Sequence, residues 1–341
     1  IDEEYAGYFD LRTLGCLFCT LLVVGAFRDI RLFEFLAGGI VRRIGNLRYA
    51  VLTLVLITYA ASMVLANDMA LVTFLPLGYF VLKSCGQEKH MAFTFVMQNV
   101  AANLGGMLTP FGNPQNLYLY SYFNIPTGEF FAIMAIPFAV ALVLILATCF
   151  LVKKEQLTVT APLPSRPCLW RTIVYSVLFA ASICTVFRLF PYYWGVLAIF
   201  AAVLILDAKA LLRVDYALLL TFCAFFVFSG NMARIPAVNS LLSDIVQRSP
   251  LLVGTLCCQI ISNVPSSVLL SHFTTDYANL LVAVNIGGLG TPIASLASLI
   301  TLNSYRSLGD GRMGRYIALY SAVNFGYLAV LLGVQLLLPL L

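Results

Sequence analysis

Apolar runs dominate the chain, and polar residues interrupt them at only a few places. Five runs have about the length of a transmembrane helix, which needs about 20 residues: residues 11–27, 129–152, 172–190, 192–208 and 316–340. Four further stretches are apolar but broken by short polar or Gly-Pro segments. This pattern predicts an all-α integral membrane protein.

The first interrupted stretch covers residues 49–83, and its only strong polar break is the pair Asn67 and Asp68. The arm after this pair, residues 69–82, has 14 residues and is short for a span. Arg48 and Lys83 flank the two ends, and cations near apolar segments favour the cytoplasmic side. We therefore predict a re-entrant helical hairpin with Asn67 and Asp68 at its tip.

The second interrupted stretch, residues 91–122, contains GGMLTPFGNPQNL at positions 105–117. Glycines permit unusual backbone torsions, and proline prevents a helix from continuing. A similar segment, GGLGTPIASLASL, follows at residues 287–299, at a constant offset of 182 positions. Both segments predict broken transmembrane helices, over residues 91–122 and 276–305. The predicted breaks and hinges are Gly105, Gly106, Pro110, Gly287, Gly288 and Pro292.

The repeat extends to the elements around each break. A second short hairpin is predicted over residues 250–274, and Asp215 opens a helix that resembles the one opened by Asp10. The predicted organisation is a first repeat, a cytoplasmic linker and a second repeat, at residues 1–152, 153–171 and 172–341. The second repeat has two spans before its Asp215 helix that the first lacks, so we expect at least two helices before Ile1.

Charged residues indicate how the two copies lie in the membrane. Of the 20 lysines and arginines, 16 fall in segments predicted to be cytoplasmic: residues 28–48, 83–90, 153–171, 207–213 and 305–315. The flanking charges of each copy, taken separately, give the two copies opposite orientations. The chain is therefore predicted to contain two inverted-topology repeats, each with one re-entrant hairpin and one broken helix.

Composition narrows the classes of partner. Of its residues 61% are hydrophobic and 10% are charged, a composition that predicts a protein embedded in the lipid bilayer. The net charge of +5 comes from residues in short loops, where they set orientation, so a nucleic-acid partner is not expected. Most of the nine cysteines lie in apolar runs and act as small hydrophobic residues. No cofactor is expected beyond a coupling ion, Na+ or H+.

The breaks and tips place polar groups in the middle of the membrane. Backbone that leaves helical geometry there exposes N–H and C=O groups that need partners. Half-helix ends and polar side chains can supply a solute site. Alternatively, Pro and Gly only kink two helices and the amides cap them. Two breaks with paired hairpins favour a transport site, and its polar side chains are Thr109, Asn113, Gln115, Asn116, Thr291, Ser295 and Ser298, with Asn67 and Asn263 at the tips.

Asp68 is the only carboxylate of residues 49–82, and the corresponding residue after Asn263 is the neutral Val264. An intramembrane carboxylate is costly and indicates a functional role, as a proton carrier or a cation ligand. The alternative is an Asp that caps the second hairpin arm. Asp10 and Asp215 stand at helix starts and are interpreted as N-caps.

Four motifs together resemble the ion transporter superfamily, in the branch of arsenite permeases, sodium/proton antiporters and citrate transporters. They are LANDMALVTFLP (65–76), LTPFGNPQNL (108–117), SNVPSSVLL (262–270) and GTPIASLASLI (290–300). The resemblance implies a transport domain that moves against a scaffold, a homodimer, and a multi-pass location in the inner or plasma membrane. Carried over by residue, it implies substrate or ion ligands at Asn67, Asp68, Thr109, Asn113, Asn116, Ser262, Asn263, Thr291 and Ser295. It also implies a sodium site near Asn67, Asp68, Thr109 and Asn113.

The tips depart from the dicarboxylate branch, which carries Ser-Asn-Thr at both. This chain has Ala-Asn-Asp at 66–68 and Ser-Asn-Val at 262–264, so dicarboxylate binding in that manner is not expected. We expect a secondary active transporter for a small ionic solute, such as arsenite, another inorganic oxyanion or oxyacid, or a small organic anion. A sodium/proton antiporter is the alternative. A channel has no need of two inverted hairpins. An intramembrane enzyme would require catalytic patterns that the sequence lacks.

Overall fold

A computed structural model describes residues 3–41, 43–156, 166–308 and 311–338. Arg42, the middle of the predicted linker (157–165), residues 309–310 and both chain ends lie outside the described residues. The described part folds into sixteen α-helices and contains no β-strand, which confirms the all-α prediction.

The helices follow the predicted order. In the first half they are α1 (Leu11–Asp29), α2 (Leu32–Val41), α3 (Leu47–Leu65), α4 (Asn67–Ser84), α5 (Met91–Gly105), α6 (Pro114–Tyr122) and α7 (Thr127–Phe150). In the second half they are α8 (Leu169–Val186), α9 (Tyr192–Leu211), α10 (Tyr216–Arg234), α11 (Pro236–Arg248), α12 (Pro250–Ile261), α13 (Asn263–Leu270), α14 (Tyr277–Ile286), α15 (Leu296–Leu308) and α16 (Met313–Leu337).

Seven of these helices are long and apolar enough to cross a bilayer: α1, α3, α7, α8, α9, α10 and α16. Each has at least 18 residues, and an ideal α-helix rises about 1.5 Å per residue. The chain is therefore a multi-pass membrane protein, as predicted.

The first hairpin consists of α3 and α4, joined at the single residue Ala66. The amide Nε2 of Gln98 in α5 donates to Thr58 Oγ1 at 3.2 Å and to the Phe74 carbonyl at 3.0 Å. Thr58 and Phe74 lie equally far from Ala66, on opposite sides of it, so the two arms run antiparallel.

The second arm of this hairpin is longer than the predicted 14 residues. Helix α4 has 18 residues, because it begins at the tip residue Asn67 and continues through Pro76 to Ser84. At about 1.5 Å per residue it is about 27 Å long. The arm is therefore longer than predicted but still below the roughly 30 Å of a hydrocarbon core. Re-entry of this hairpin stays a prediction.

The second hairpin consists of α12 and α13, joined at Ser262. Its arms have 12 and 8 residues, so they are about 18 and 12 Å long, below the roughly 30 Å of a hydrocarbon core. Leu270 at the end of α13 lies beside Gly254 near the start of α12, which shows that the arms fold back on each other.

Both predicted helix breaks are present. Helix α5 ends at Gly105, and a short 3-10 turn follows. A turn over residues 110–112, flanked by extended backbone at Thr109 and Asn113, then leads to α6, which begins with Pro114. Proline suits this first helical position, where its missing N–H needs no partner. In the second copy α14 ends at Ile286, Gly290 adopts a φ of +106°, and α15 begins at Leu296.

A short amphipathic helix precedes each hairpin. Before the first hairpin this helix is α2, which packs on α3 and α4. Its counterpart α11, between α10 and α12, was not predicted, although Pro236 at its first position and its amphipathic pattern are helix signals.

The described start of the linker is tied to the base of the first hairpin. The Glu155 carbonyl accepts from the Leu47 amide at 2.9 Å, and its carboxylate accepts from Lys89 at 3.1 Å and Gln87 at 2.9 Å. These hydrogen bonds lower the pKa of the Glu155 carboxyl. The far end of the predicted linker, residues 169–171, already belongs to α8.

Helix α5 is almost completely enclosed by other helices. It contacts α3, α4, α7, α14, α15 and α16, and every side chain from residue 94 to residue 105 is buried. Polar residues in a membrane helix are tolerated where they face protein instead of lipid. This explains how α5 can carry Gln98, Asn99 and Asn103, three buried amides close to the first break.

Candidate functional site

The two hairpin tips have the same local structure. Ala66 and Ser262, which join the arms, adopt φ/ψ of 62°/145° and 76°/158°. Positive φ at a residue other than glycine is strained, at a cost of about 1–3 kcal/mol. In each tip the side-chain Oδ1 of the next residue, Asn67 or Asn263, accepts a hydrogen bond from the backbone N–H of the residue that follows. The distances are 3.0 and 2.9 Å. Such repeated strain identifies the tips as functional candidates.

Each tip rests on the break of its own copy. The backbone N–H of Asn67 donates to the Gly112 carbonyl at 3.2 Å, and the backbone N–H of Asn263 donates to the Ala294 carbonyl at 2.9 Å. Gly112 and Ala294 are separated by the same 182 positions that relate the two motifs. The contact therefore belongs to the repeated unit.

Thr109 and Thr291 fasten each break to the first arm of its hairpin. The Thr109 hydroxyl donates to the Met63 carbonyl at 2.6 Å, and the Thr291 hydroxyl donates to the Gln259 carbonyl at 3.0 Å. Both threonines were predicted as ligands. In the structure both hydroxyl groups donate hydrogen bonds that hold the break against the hairpin.

The breaks of the two copies exchange a reciprocal pair of hydrogen bonds. Asn113, after the first break, donates to Asn285 Oδ1 of α14 at 3.1 Å. Ser295, after the second break, donates to Asn103 Oδ1 of α5 at 2.8 Å. Asn113 and Ser295 correspond at offset 182, as do Asn103 and Asn285. The two breaks thus meet around an approximate two-fold relation, while the inverted orientation of the copies in the membrane stays a prediction.

Asn116 holds the first break together. Its Nδ2 donates to the carbonyls of Gly106, Met107 and Thr109 at 3.3, 3.1 and 3.1 Å. Its Oδ1 accepts from Asn285 Nδ2 at 2.6 Å. Asn116 therefore satisfies carbonyls that the broken helix leaves without intrahelical partners.

We expect the Asn285→Ala variant to lose more stability than a surface Asn variant. Asn285 is 1% exposed, and its removal leaves Asn116 Oδ1 and Gln115 Nε2 without their partner, at about 1–3 kcal/mol per orphaned group. Asn113 Nδ2 loses one of its two acceptors and keeps the Asn103 carbonyl. Asn239→Ala, at an exposed position of α11, is the control. Thermal unfolding in detergent measures the difference, and equal melting temperatures would contradict the assigned role.

Both tips line one cavity of about 360 Å³, here called the tip cavity. Its volume is at the lower end of the roughly 300–1,000 Å³ typical of small-molecule sites. Its polar lining residues are Asn67, Asp68, Gln115, Asp215, Thr221, Ser262, Asn263 and Ser295. An adjoining space of about 170 Å³, the passage cavity, shares Asp68 and Asp215 with it and adds Asn113 and Arg28.

The structure brings six of the nine predicted ligands to these cavities. They are Asn67, Asp68, Asn113, Ser262, Asn263 and Ser295. The other three, Thr109, Asn116 and Thr291, do not line these cavities and instead hold the loops in place. The role of all nine as ligands stays a prediction.

Three buried acceptor atoms at the cavities have no hydrogen-bond partner among the described residues: Asp68 Oδ1, Asn113 Oδ1 and Gln115 Oε1. Asn113 and Gln115 are each 1% exposed. Buried polar atoms are paired in most proteins, so unpaired ones require an explanation. Because all three are acceptors, a cation or a hydrogen-bond donor would complement them.

Asp68 does not cap α4. Ala66 occupies the N-cap position, and no side chain makes a capping hydrogen bond there. The Asp68 backbone N–H donates to Asn67 Oδ1 at 3.0 Å. The capping interpretation of this carboxylate therefore has no contact to support it.

Four helix N-termini reach the tip cavity. Helices α4, α6, α13 and α15 begin at Asn67, Pro114, Asn263 and Leu296, and all four residues line it. A helix N-terminus carries a partial charge of roughly +0.5, which favours anions and carboxylates. No lysine or arginine is among the lining residues, so these helix ends are the positive component of the cavity wall.

Asn103, Asn285 and the cavity-facing position of Asp215 were missed in the sequence. The two asparagines had a usable signal, because each lies two positions before a Gly-Gly pair of the repeated motif. Asp215 was interpreted as an N-cap, and its Oδ1 does accept from the Leu218 amide at 3.0 Å. Sequence could not show that it also faces the tip cavity.

Comparison with known proteins finds a matching family model and several relatives. The family model described as citrate transporter matches residues 2–279. An uncharacterized transporter of Methanocaldococcus jannaschii is 30% identical over 323 residues, covering 94% of this chain and 88% of its own. The inner membrane protein YbiR of Escherichia coli is 32% identical over 94% of this chain and 86% of its own length. A silicon efflux transporter of Oryza sativa is 33% identical over 119 residues, 35% of this chain and 24% of its own.

Proposed function

The chain belongs to the citrate transporter family, and we propose that it is a secondary active transporter that couples movement of a small solute to H+ or Na+. The observation that carries this proposal is the tip cavity. Both hairpin tips and four helix N-termini meet there beside Asp68. Discontinuous helices that direct their ends at a shared site are typical of transporters built from repeats.

The proposed solute is small and bears oxygen: an inorganic oxyanion or oxyacid such as arsenite, or a small organic anion. Helix N-termini attract negatively charged oxygens, and the amides and hydroxyls of the wall bond them. The family description names citrate, and the partial relative from rice is named for silicon efflux, so both chemistries occur among similar proteins. The neutral Val264 and acidic Asp68 at the tips argue against two equivalent carboxylate clamps.

Asp68 supplies the proposed link between solute and ion. An anionic solute beside an ionised carboxylate is repelled in a site of low dielectric constant. A proton on Asp68, or a sodium ion beside it, removes that repulsion. The proposed sodium site lies near Asn67, Asp68, Thr109 and Asn113, and the unpaired oxygens of Asp68 and Asn113 support it. Binding of solute and cation thereby become interdependent.

A sodium/proton antiporter is the second candidate. The unpaired atoms at the cavities are all acceptors, which is the chemistry a cation needs when it is itself the substrate. Asp68 would then exchange a proton for Na+. Recording of lumenal pH in vesicles separates the two, since an antiporter moves protons in response to Na+ with no anionic solute present.

Alternating access would expose the tip cavity to each side in turn. The passage cavity leads from it to a space of about 660 Å³, here called the vestibule, which is lined by Arg28, Asp29, Arg31, Glu34 and Arg213 among others. The charge pattern of the sequence supports a cytoplasmic position for these residues. We propose that the structure represents a cytoplasm-facing conformation, and that the protein works as a homodimer.

A ligand-dependent thermal-shift screen tests the proposal on purified full-length protein. We expect one of citrate, arsenite or silicic acid to raise the melting temperature, and to raise it more in NaCl or at lower pH than in choline chloride at neutral pH. Ligand that binds only the folded state stabilises it in proportion to the logarithm of its concentration. Stabilisation by Na+ alone, with none from any solute, would favour the antiporter. No stabilisation under any condition would contradict both.

A further inference from the structure

Asp215 lines the tip cavity, the passage cavity and the vestibule, and no other residue in the described part of the chain lines all three. Asp68 lines the first two, and Arg28 lines the last two. Asp215 therefore stands where the route from the hairpin tips turns into the vestibule.

The carboxylate of Asp215 is only partly used by its capping role. Its Oδ1 accepts from the Leu218 amide at 3.0 Å, and its Oδ2 accepts no hydrogen bond from the described residues. The corresponding cap, Asp10, uses both oxygens: Oδ1 accepts from the amides of Arg12 and Thr13, and Oδ2 accepts from the Thr13 hydroxyl at 2.5 Å. The second copy thus leaves a free carboxylate oxygen where the first copy has none.

A second observation points to a bound cation near Asp215. Gln115 lines the tip cavity together with Asp68 and Asp215, is 1% exposed, and has an unpaired Oε1. The unpaired Oδ1 of Asp68 lies at the same cavity. Oxygen atoms without hydrogen-bond donors are the ligand type that Na+ and protonated species require, because each needs an electron pair from the wall.

The other charges that face Asp215 leave it available. In the vestibule Arg213 pairs with Asp29, and Arg31 lies 3.7 Å from Glu34. Arg28 makes no salt bridge among the described residues and lines the passage cavity together with Asp215. Asp68 is the remaining ionisable group of the passage. A cation at Asp215 therefore feels attraction from two carboxylates and repulsion from one guanidinium.

We propose that Asp215 is a relay ligand, which receives the monovalent coupling cation from Asp68 and passes it to the vestibule. This inference rests on the proposed function. A carboxylate between the buried site and the vestibule lowers the barrier for a charge that leaves the membrane interior. Arg28 beside the same passage weakens retention at Asp215, so the cation is released instead of trapped.

The test compares Asp215→Asn with its matched control Asp10→Asn in proteoliposomes. Asparagine caps helices about as well as aspartate, so both variants keep their helix starts and lose one negative charge. We measure solute flux against Na+ concentration, and separately against pH, with the cation varied on one side at a time. Asp215→Asn is expected to raise the half-saturating cation concentration on the cytoplasmic side about tenfold or more, the scale of one lost charged contact. Asp10→Asn should leave it within about twofold, since its lost charge does not face these cavities.

Sidedness and rescue separate a relay from a structural role. A folding defect would change flux from both sides, whereas loss of a relay changes the cytoplasmic side. Asp215→Glu should restore most of the cation dependence, because it keeps the charge. Identical cation dependence in Asp215→Asn and Asp10→Asn would overturn the relay. Absence of any cation dependence in the unmodified protein would instead overturn the proposed function.

Discussion

The Asp68→Asn variant is expected to lose ion-coupled flux almost completely and to keep its fold. Asn has nearly the same shape as Asp but cannot carry a proton or hold a cation by charge. In the described part of the chain Asp68 Oδ1 has no hydrogen-bond partner and the side chain does not cap α4, so the substitution removes no stabilising contact there. Removing an uncompensated carboxylate from a membrane interior also removes a desolvation cost. Flux driven by a Na+ or proton gradient in proteoliposomes measures the loss.

The matched control is Asp276→Asn. Asp276 caps α14, where its Oδ1 accepts from the backbone N–H of Asn279 at 3.1 Å. It does not line the tip cavity. This variant should retain coupled flux close to that of the unmodified protein. Thermal unfolding of both variants checks that the loss of flux in Asp68→Asn does not come from loss of fold. Unchanged coupling in Asp68→Asn would remove Asp68 from the mechanism.

The Gly105→Ala variant is expected to give little folded protein. A Cβ at Gly105 would lie 2.1 Å from the Tyr59 carbonyl oxygen and 2.4 Å from Ser62 Oγ, so α5 and α3 would have to separate. Overpacking in a tight core costs about 1–3 kcal/mol and occasionally more, and here the obstacle is backbone that cannot rotate away. Because Gly105 ends the half-helix that carries Asn103, the separation also disturbs both breaks.

Gly25→Ala is the control for this substitution, since a Cβ at that position of α1 meets no atom within 4 Å. In a helix interior Ala is favoured over Gly by about 1 kcal/mol, so this control should be neutral or stabilising. The yield of monodisperse protein in size-exclusion chromatography and its melting temperature compare the two. Equal yields and melting temperatures would show that the close approach of α3 and α5 is not required.

The sequence predicted the positions of both breaks and both hairpins because each depends on local backbone chemistry. Pro110 and Pro292 end helices wherever they occur, and glycine pairs mark the same places. Apolar length predicted the remaining spans, since a bilayer imposes a minimum on any helix that crosses it. Asp10 and Asp215 were predicted as N-caps, and both make capping hydrogen bonds.

The predicted site was less complete because ligand roles depend on contacts between distant segments. The Thr-Pro motif marks Thr109 and Thr291 as special, but sequence does not show that their hydroxyl groups point at the first hairpin arms. The exchange between Asn113 and Asn285 joins residues 172 positions apart, and only the packed helices reveal it. The repeat offset, applied to every polar residue near the breaks, would have found that pair.

Asp215 shows that a residue whose sequence context explains one role can also have a second one. A capping Asp at a helix start is fully explained by local structure. Its free oxygen and its position beside three cavities appear only when α1, α4, α10 and the breaks are assembled. The contrast with Asp10, whose two oxygens are both engaged, distinguishes a cap from a cap with a second use.

Gradient-driven accumulation of solute in proteoliposomes tests the central claim most directly. Labelled citrate, arsenite or silicic acid is added outside vesicles that contain the unmodified protein. An inward Na+ or proton gradient is then imposed. We predict that one solute accumulates above its external concentration, that accumulation ends when the gradient is dissipated, and that Asp68→Asn vesicles reach no more than equilibration. Equal uptake with and without every ion gradient, or accumulation that Asp68→Asn leaves intact, would contradict a coupled transport site at the hairpin tips.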